Sequence, residues 1–262
     1  MKRGFHRWAS FNTLKYIIYF PVIIKIIKNW PAFMLNYLGL TNGGNKYIFR
    51  NGIEIFDREG SLTGIIAVVF IRENYGKLEN PGVIVDIGAN IGVFSIYAAT
   101  EAKNAIVYAF EPVQGNYDLL TQNIKNNALS DRIKTFKLGI ASKAGTRKIR
   151  LSSCTMHSMV DDGTNQKTDN IDCITLADII KKNRLSKIDL LKMNCEGAEY
   201  EILYSTGIDC FEKISDIRLE YHNIDTDQKN ANHLESFLAS MGYCTTKIWT
   251  ISKEDGFLWM RR

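Results

Sequence analysis

The run Asp86-Ile-Gly-Ala-Asn-Ile-Gly92 holds the first residues able to organise a ligand. Gly88 and Gly92 permit a tight turn and close backbone approach, and Asn90 is the next best residue for a left-handed position. The spacing is not the G-x-G-x-x-G of a diphosphate cradle. A G-x-N-x-G led by the acid Asp86 suits a cationic amino group, bound by Asp86 directly or through water. Glu111 lies 25 residues beyond Asp86, where an acid at a strand end accepts hydrogen bonds from ribose hydroxyls. Pro112 keeps Glu111 extended. Topology places Gly139, Ile140 and Ala141, leading to Ser142, on the adenine side of such a ligand.

A second set follows in Lys192-Met-Asn194-Cys-Glu196-Gly197 and in Glu220-Tyr-His222. A carboxylate or imidazole at a strand end can take a proton from a hydroxyl. His222 or Glu196 is expected as the base, with Asn194 orienting the acceptor. Lys192 either reaches solvent at a sheet edge or pairs with a carboxylate. Glu199 and Glu201 read as carboxylates near the positive end of a helix, and Cys195 as a packing residue. His157 lies in a Ser/Cys/Met-rich loop, a candidate substrate lid. No metal is expected: the five cysteines show no C-x-x-C pairing, which argues against zinc and a disulfide framework and fits a reducing cytoplasm.

These residues need strands that end together. Val83–Asp86, Ala105–Phe110, Ile133–Leu138, Ile188–Met193 and Ile214–Tyr221 read as buried strands. Helical patterns over Val93–Ala102, Tyr117–Asn127, Leu176–Asn183, Glu199–Ser205 and Leu234–Met241 alternate with them. Cys244–Thr250 and Asp255–Met260 are expected to pair antiparallel. The fold class is therefore α/β: a mostly parallel, seven-stranded Rossmann-like sheet whose ligands sit beyond the strand carboxyl ends. Lys46–Ile71 reads as a small hairpin region with turn glycines.

The net charge of +5 conceals an asymmetry. The first 53 residues carry eight basic side chains and no acidic one, leaving 25 basic against 28 acidic in the remainder. No basic stripe crosses the body, which disfavours nucleic acid. Residues 1–45 are expected to form a basic amphipathic helical extension and 46–262 the main domain. Pro21 should interrupt the apolar run Tyr16–Ile24, which is too short to span a bilayer. That extension either packs as a helix pair or docks at the inner face of an anionic membrane.

The motifs V-D-I-G-A-N-I-G, F-E-P-V-Q-G-N-Y-D-L-L, L-G-I-A-S-K-A-G, D-L-L-K-M-N-C-E-G-A-E-Y-E-I-L and L-E-Y-H occur in this order between Val83 and His222. Together they resemble the FkbM-type methyltransferases. The resemblance implies a class I Rossmann methyltransferase using S-adenosylmethionine, with the hydroxyl of a small molecule or glycan as acceptor. It departs from the family pattern at Asn194, where Asp is usual, and in Thr175-Leu-Ala177-Asp178, whose acid is displaced by one place. Asn cannot take a proton. Two further readings stay open: a cofactor-binding protein without methyl transfer, and a nicotinamide oxidoreductase, which the missing G-x-G-x-x-G disfavours.

Overall fold

A computed structural model of the protein describes residues 18–41, 45–58, 63–150 and 168–262. His157 and its loop lie outside them. The chain divides into two compact units, Met1–Gly76 and Lys77–Arg262.

In the first unit, helix α1 (18–26) precedes α2 (Trp30–Tyr37) and an antiparallel hairpin of β1 (Asn45–Ile48) and β2 (Glu54–Asp57). The α1 helix contains Pro21, whose ring removes one amide from the ladder without ending it. The hairpin groups with these helices, whereas the sequence reading put a boundary before it. Asn29 Nδ2 donates to Lys46 O and Asn29 Oδ1 accepts from Ile48 N, while Ile27 bridges to Phe49. The rings of Phe33 and Tyr47 meet edge to face. The stretch expected to be β-like continues instead as α3 (Thr63–Ile66) and a π-helix (Ala67–Ile71). Its β-branched residues favour a strand locally, but a helical turn lets Ile66, Val69 and Phe70 all be buried.

The second unit is built on seven strands in the order β11-β12-β10-β9-β3-β4-β5. These are β3 (Val83–Ile87), β4 (Ile106–Phe110), β5 (Ile133–Phe136), β9 (Leu190–Met193), β10 (Asp216–His222), β11 (Cys244–Thr250) and β12 (Asp255–Arg261). The first five are parallel, and β12 and β11 close one edge antiparallel, as expected. A smaller sheet joins β6 (Gly139–Ile140), β8 (Thr168–Ile174) and β7 (Gly145–Arg150). The crossover helices are α4 (Val93–Glu101), α5 (Gln114–Asn126), α6 (Leu176–Lys182), α7 (Glu199–Tyr204), the short α8 (Ile208–Phe211) and α9 (Ala231–Ser240).

The two faces of the sheet differ. Val85, Leu191, Leu219 and Leu258 belong to an apolar core with Ile179, Leu234 and Leu238. The alternate positions form a polar row by register: Asp86 beside Lys192, Lys192 beside Arg218, and Arg218 beside Trp259. The sheet thus carries ionic groups to the ends of its central strands. The displaced acid Asp178 has a local role. Thr175 Oγ1 accepts from Asp178 N at 3.1 Å and Thr175 N donates to Asp178 Oδ2 at 3.0 Å, a reciprocal cap that starts α6.

Candidate active site

The turn between β3 and α4 is shaped by its backbone. Gly88, Asn90 and Gly92 have φ of 76°, 51° and 92°. A Cβ at Gly88 would lie 1.9 Å from Asn194 O, so only glycine fits where the β3 loop crosses the end of β9. Each loop amide already has an acceptor. Gly88 N and Ala89 N donate to Phe110 O, Asn90 N to Glu111 Oε2, Ile91 N to Asn90 Oδ1, and Gly92 N to Ala89 O. The loop therefore offers a ligand no free amide, and its Gly88, Ala89, Ile91 and Gly92 carbonyls are bonded as well, to Lys192, Gly92, Asn123 and Ile96.

Asp86 is fully buried. Its Oδ1 lies 2.8 Å from Lys192 Nζ and its Oδ2 accepts from Ser95 Oγ at 2.6 Å. Lys192 also donates to Gly88 O at 2.9 Å. Lys192 is thus the pairing residue of the two alternatives, on a central strand and 4% exposed, and its ammonium faces Asp86. Glu111 directly follows β4, with Oε2 accepting from Asn90 N and Oε1 from Val113 N and Asn116 Nδ2. Burial pushes its carboxyl up to about 7, against the pull of those hydrogen bonds. Pro112 lies between Glu111 and Val113, in a segment where Val113 has an extended backbone. Gly139 and Ile140 pair with Cys173 and Ile174, Ile140 belongs to the main core, and Ala141 is buried with Val113 and Ile171. These side chains are occupied by packing, so a ligand would meet this segment through its backbone.

The ends of β9 and β10 bring the other group together. Asn194 Nδ2 donates to Glu220 Oε2 at 2.9 Å, and Asn194 Oδ1 is buried with no hydrogen-bond partner among the described residues. Glu199 accepts from Cys195 N at 2.6 Å and Gly197 N at 2.9 Å, closing the turn before α7, where Glu196 has a left-handed φ of 52°. His222 Nε2 lies 3.6 Å from Glu196 Oε2 and its Nδ1 3.4 Å from Glu199 Oε1, within ion-pair range but without hydrogen-bond geometry at Nδ1. Burial alone would lower His222, but the carboxylates of Glu199, Glu196 and Glu220 outweigh it and hold the imidazolium to about 9. Burial raises Glu196, against the charge of His222, and pushes Glu220 up to about 7. The Cys195 thiol is held protonated by burial and by Glu199, which leaves it a packing residue. Among the described residues, no three His, Cys, Asp or Glu side chains converge to hold a metal ion.

The sheet therefore joins a turn with no free amide, flanked by Glu111, to an acid–imidazolium group after β9 and β10. The model of the methyltransferase FkbM domain matches residues 86–244, which contain both halves. The chain belongs to the FkbM methyltransferase family. Methyltransferase sdnD of Sordaria araneosa is 27% identical over 52% of this chain and 65% of the relative. Hexuronic acid methyltransferase AglP of Haloferax volcanii is 24% identical over 73% of this chain and 75% of the relative. The crystal structure of methyltransferase FkbM from Methylobacillus flagellatus KT shares the fold with a TM-score of 0.52 and 18% identity, covering 74% of this chain and 47% of that one. The chain thus spans less than two thirds of sdnD and about half of that solved chain.

This FkbM methyltransferase domain also uses residues that reading the sequence did not single out. Ser95 and Asn116 complete the hydrogen bonding of Asp86 and Glu111. Ser95 was detectable as a polar residue inside the apolar run Val93-Phe-Ser-Ile-Tyr. Nothing local in the sequence reveals the bond between Asn194 and Glu220, 26 positions apart.

Proposed function

We propose that this protein transfers a methyl group from S-adenosylmethionine to a hydroxyl of a small molecule or glycan. The observation that carries the reading is that every amide of the Gly88–Gly92 turn is engaged, while the carboxylate of Glu111 beside it keeps accepting capacity. A diphosphate needs free amide donors. An amino group and ribose hydroxyls are donors themselves and suit a carboxylate such as Glu111. Glu111 has three hydrogen bonds against the roughly four lone-pair sites of a carboxylate, which leaves room for one ribose hydroxyl. The same feature disfavours the nicotinamide reading.

When bound, the sulfonium supplies the methyl group together with its leaving group. The protein must align the acceptor and receive its proton. In this reading Glu220 receives the proton in place of His222 or Glu196. His222 already holds a proton at neutral pH, and Glu196 lies against its Nε2. Glu220 is bonded through Oε2 to Asn194, and its other oxygen has no hydrogen bond among the described residues. Asn194 in place of an acid then keeps a donor on Glu220, so the substitution does not argue for a binding protein without turnover. Hexuronic acid methyltransferase AglP makes sugar acids sensible first acceptors to assay.

Calorimetric titration of S-adenosylmethionine into the protein tests the reading. Binding by wild type and its loss in Glu111→Ala are expected; a folded wild type that binds none would sink it. Among the described residues no helix is long and apolar enough to cross a membrane. The basic first 53 residues, with exposed Ile18, Phe20, Leu35, Leu38 and Leu40, support peripheral contact with an anionic bilayer.

A further inference from the structure

We infer that Lys192 is a positioning residue for the cofactor turn, and that Asp86 acts on the ligand only through it. The inference rests on the methyl-transfer reading but concerns how the turn is held. Asp86 has no open face: its side chain is 0% exposed, with Lys192 on one oxygen and Ser95 on the other. Two bonds leave a carboxylate lone pairs to spare, but with no exposed surface they are out of a ligand's reach. Lys192 extends from β9 across to β3, where its ammonium joins Asp86 to the carbonyl of Gly88. Gly88 is the residue at which the chain leaves the strand and turns with a positive φ.

The fastenings of this turn come from two neighbouring strands and from α5, whose Asn123 Nδ2 donates to Ile91 O. On the β4 side they are uncharged amides on Phe110 O, together with Asn90 N on Glu111. On the β9 side they are Asn194 N on Ile87 O and the Lys192 ammonium on Gly88 O. A buried ion pair is weak evidence for stability, since a well-packed apolar pair of similar volume often does as well. What an apolar pair cannot do is hold the Gly88 carbonyl, and with it the peptide plane that opens the turn. The specific contribution of Lys192 is therefore to ligand affinity more than to folding.

The test is a double-mutant cycle read by calorimetric titration of S-adenosylmethionine, with thermal melting of the ligand-free protein alongside. Lys192→Met leaves Asp86 buried without its cation and is expected to melt lower. The Asp86→Asn/Lys192→Met double variant buries no unpaired charge and is expected to melt close to wild type. Its affinity should still fall by about tenfold or more. Adding Asp86→Asn to Lys192→Met should weaken binding no further, because the two act as one unit. A double variant that binds within about twofold of wild type would overturn the inference. So would a further loss from Asp86→Asn on the Lys192→Met background, which would mean direct contact by Asp86. Failure of the wild type to bind removes the methyl-transfer reading itself, and is distinguished from both by occurring without any substitution.

Discussion

Glu220 and His222 are both strand-end titratable groups on one face of β10, yet their surroundings assign them opposite states. His222 faces Glu196 and Glu199, with Glu220 also close enough to favour its cation, and is held protonated to about 9. Glu220 is pushed up to about 7 by burial, with His222 and Lys192 lowering it and Glu196 and Asp255 raising it. A carboxyl accepts a proton only when ionised, so turnover should rise as pH passes about 7. It should then level off, since His222, whose charge persists to about 9, takes no proton in this reading. Glu220→Gln should remove the acidic limb and slow transfer by about 10²- to 10⁴-fold while leaving cofactor affinity unchanged. Pre-steady-state rates on a uronic acid or its glycoside across pH 5–10 would show the rise and the plateau (~5 pH units, spanning the titrations of carboxylate and imidazole). A rate that falls through pH 7 would rule out Glu220 as the base. Lys192 and Asn194 were recognisable as site residues by type and spacing, but the partners that define their roles come from other strands.

The turn after β3 shows how far an element can be read from its sequence. G-x-N-x-G announced positive φ at three positions, and all three adopt it. The reason for Gly88 is tertiary: the carbonyl of Asn194, far along the chain, occupies the place of a side chain. Gly88→Ala should therefore destabilise by about 3 kcal/mol, combining overpacking with a left-handed backbone. Urea unfolding would measure it; a change below about 1 kcal/mol would show that β9 can give way. The strand β8 escaped notice because Thr168-Asp-Asn-Ile-Asp-Cys-Ile is rich in residues that disfavour strands, and only Ile171, Cys173 and Ile174 are buried. The π-helical Ala67–Ile71 misled in the other direction, its β-branched residues reading as strand where packing required a helix.

At the scale of the whole molecule, charge and exposed apolar surface are distributed unevenly. Among the described residues, Ile18, Phe20, Leu35, Leu38 and Leu40 are exposed within a segment whose surroundings in sequence carry no acid before Glu54. Full-length protein should float with vesicles containing anionic lipid and less so at high salt, since surface attraction is screened over a Debye length of about 10 Å at 0.1 M. Equal flotation of a variant with Ile18, Phe20, Leu35, Leu38 and Leu40 changed to Ser would remove that surface from consideration. The alternation of apolar strands and amphipathic helices was enough to establish a mostly parallel Rossmann-like sheet, because its buried strands read as short continuous apolar runs. The order of motifs along the chain was enough to establish the family. Which acid is open, which is neutralised and which imidazole stays charged was decided only by tertiary structure. Those states depend on distances of a few ångströms between residues such as Asp86 and Lys192, or Asn194 and Glu220, and on the burial they share. Neither quantity is written in local sequence, because electrostatic energy depends on separation in space and on the loss of water around each charge.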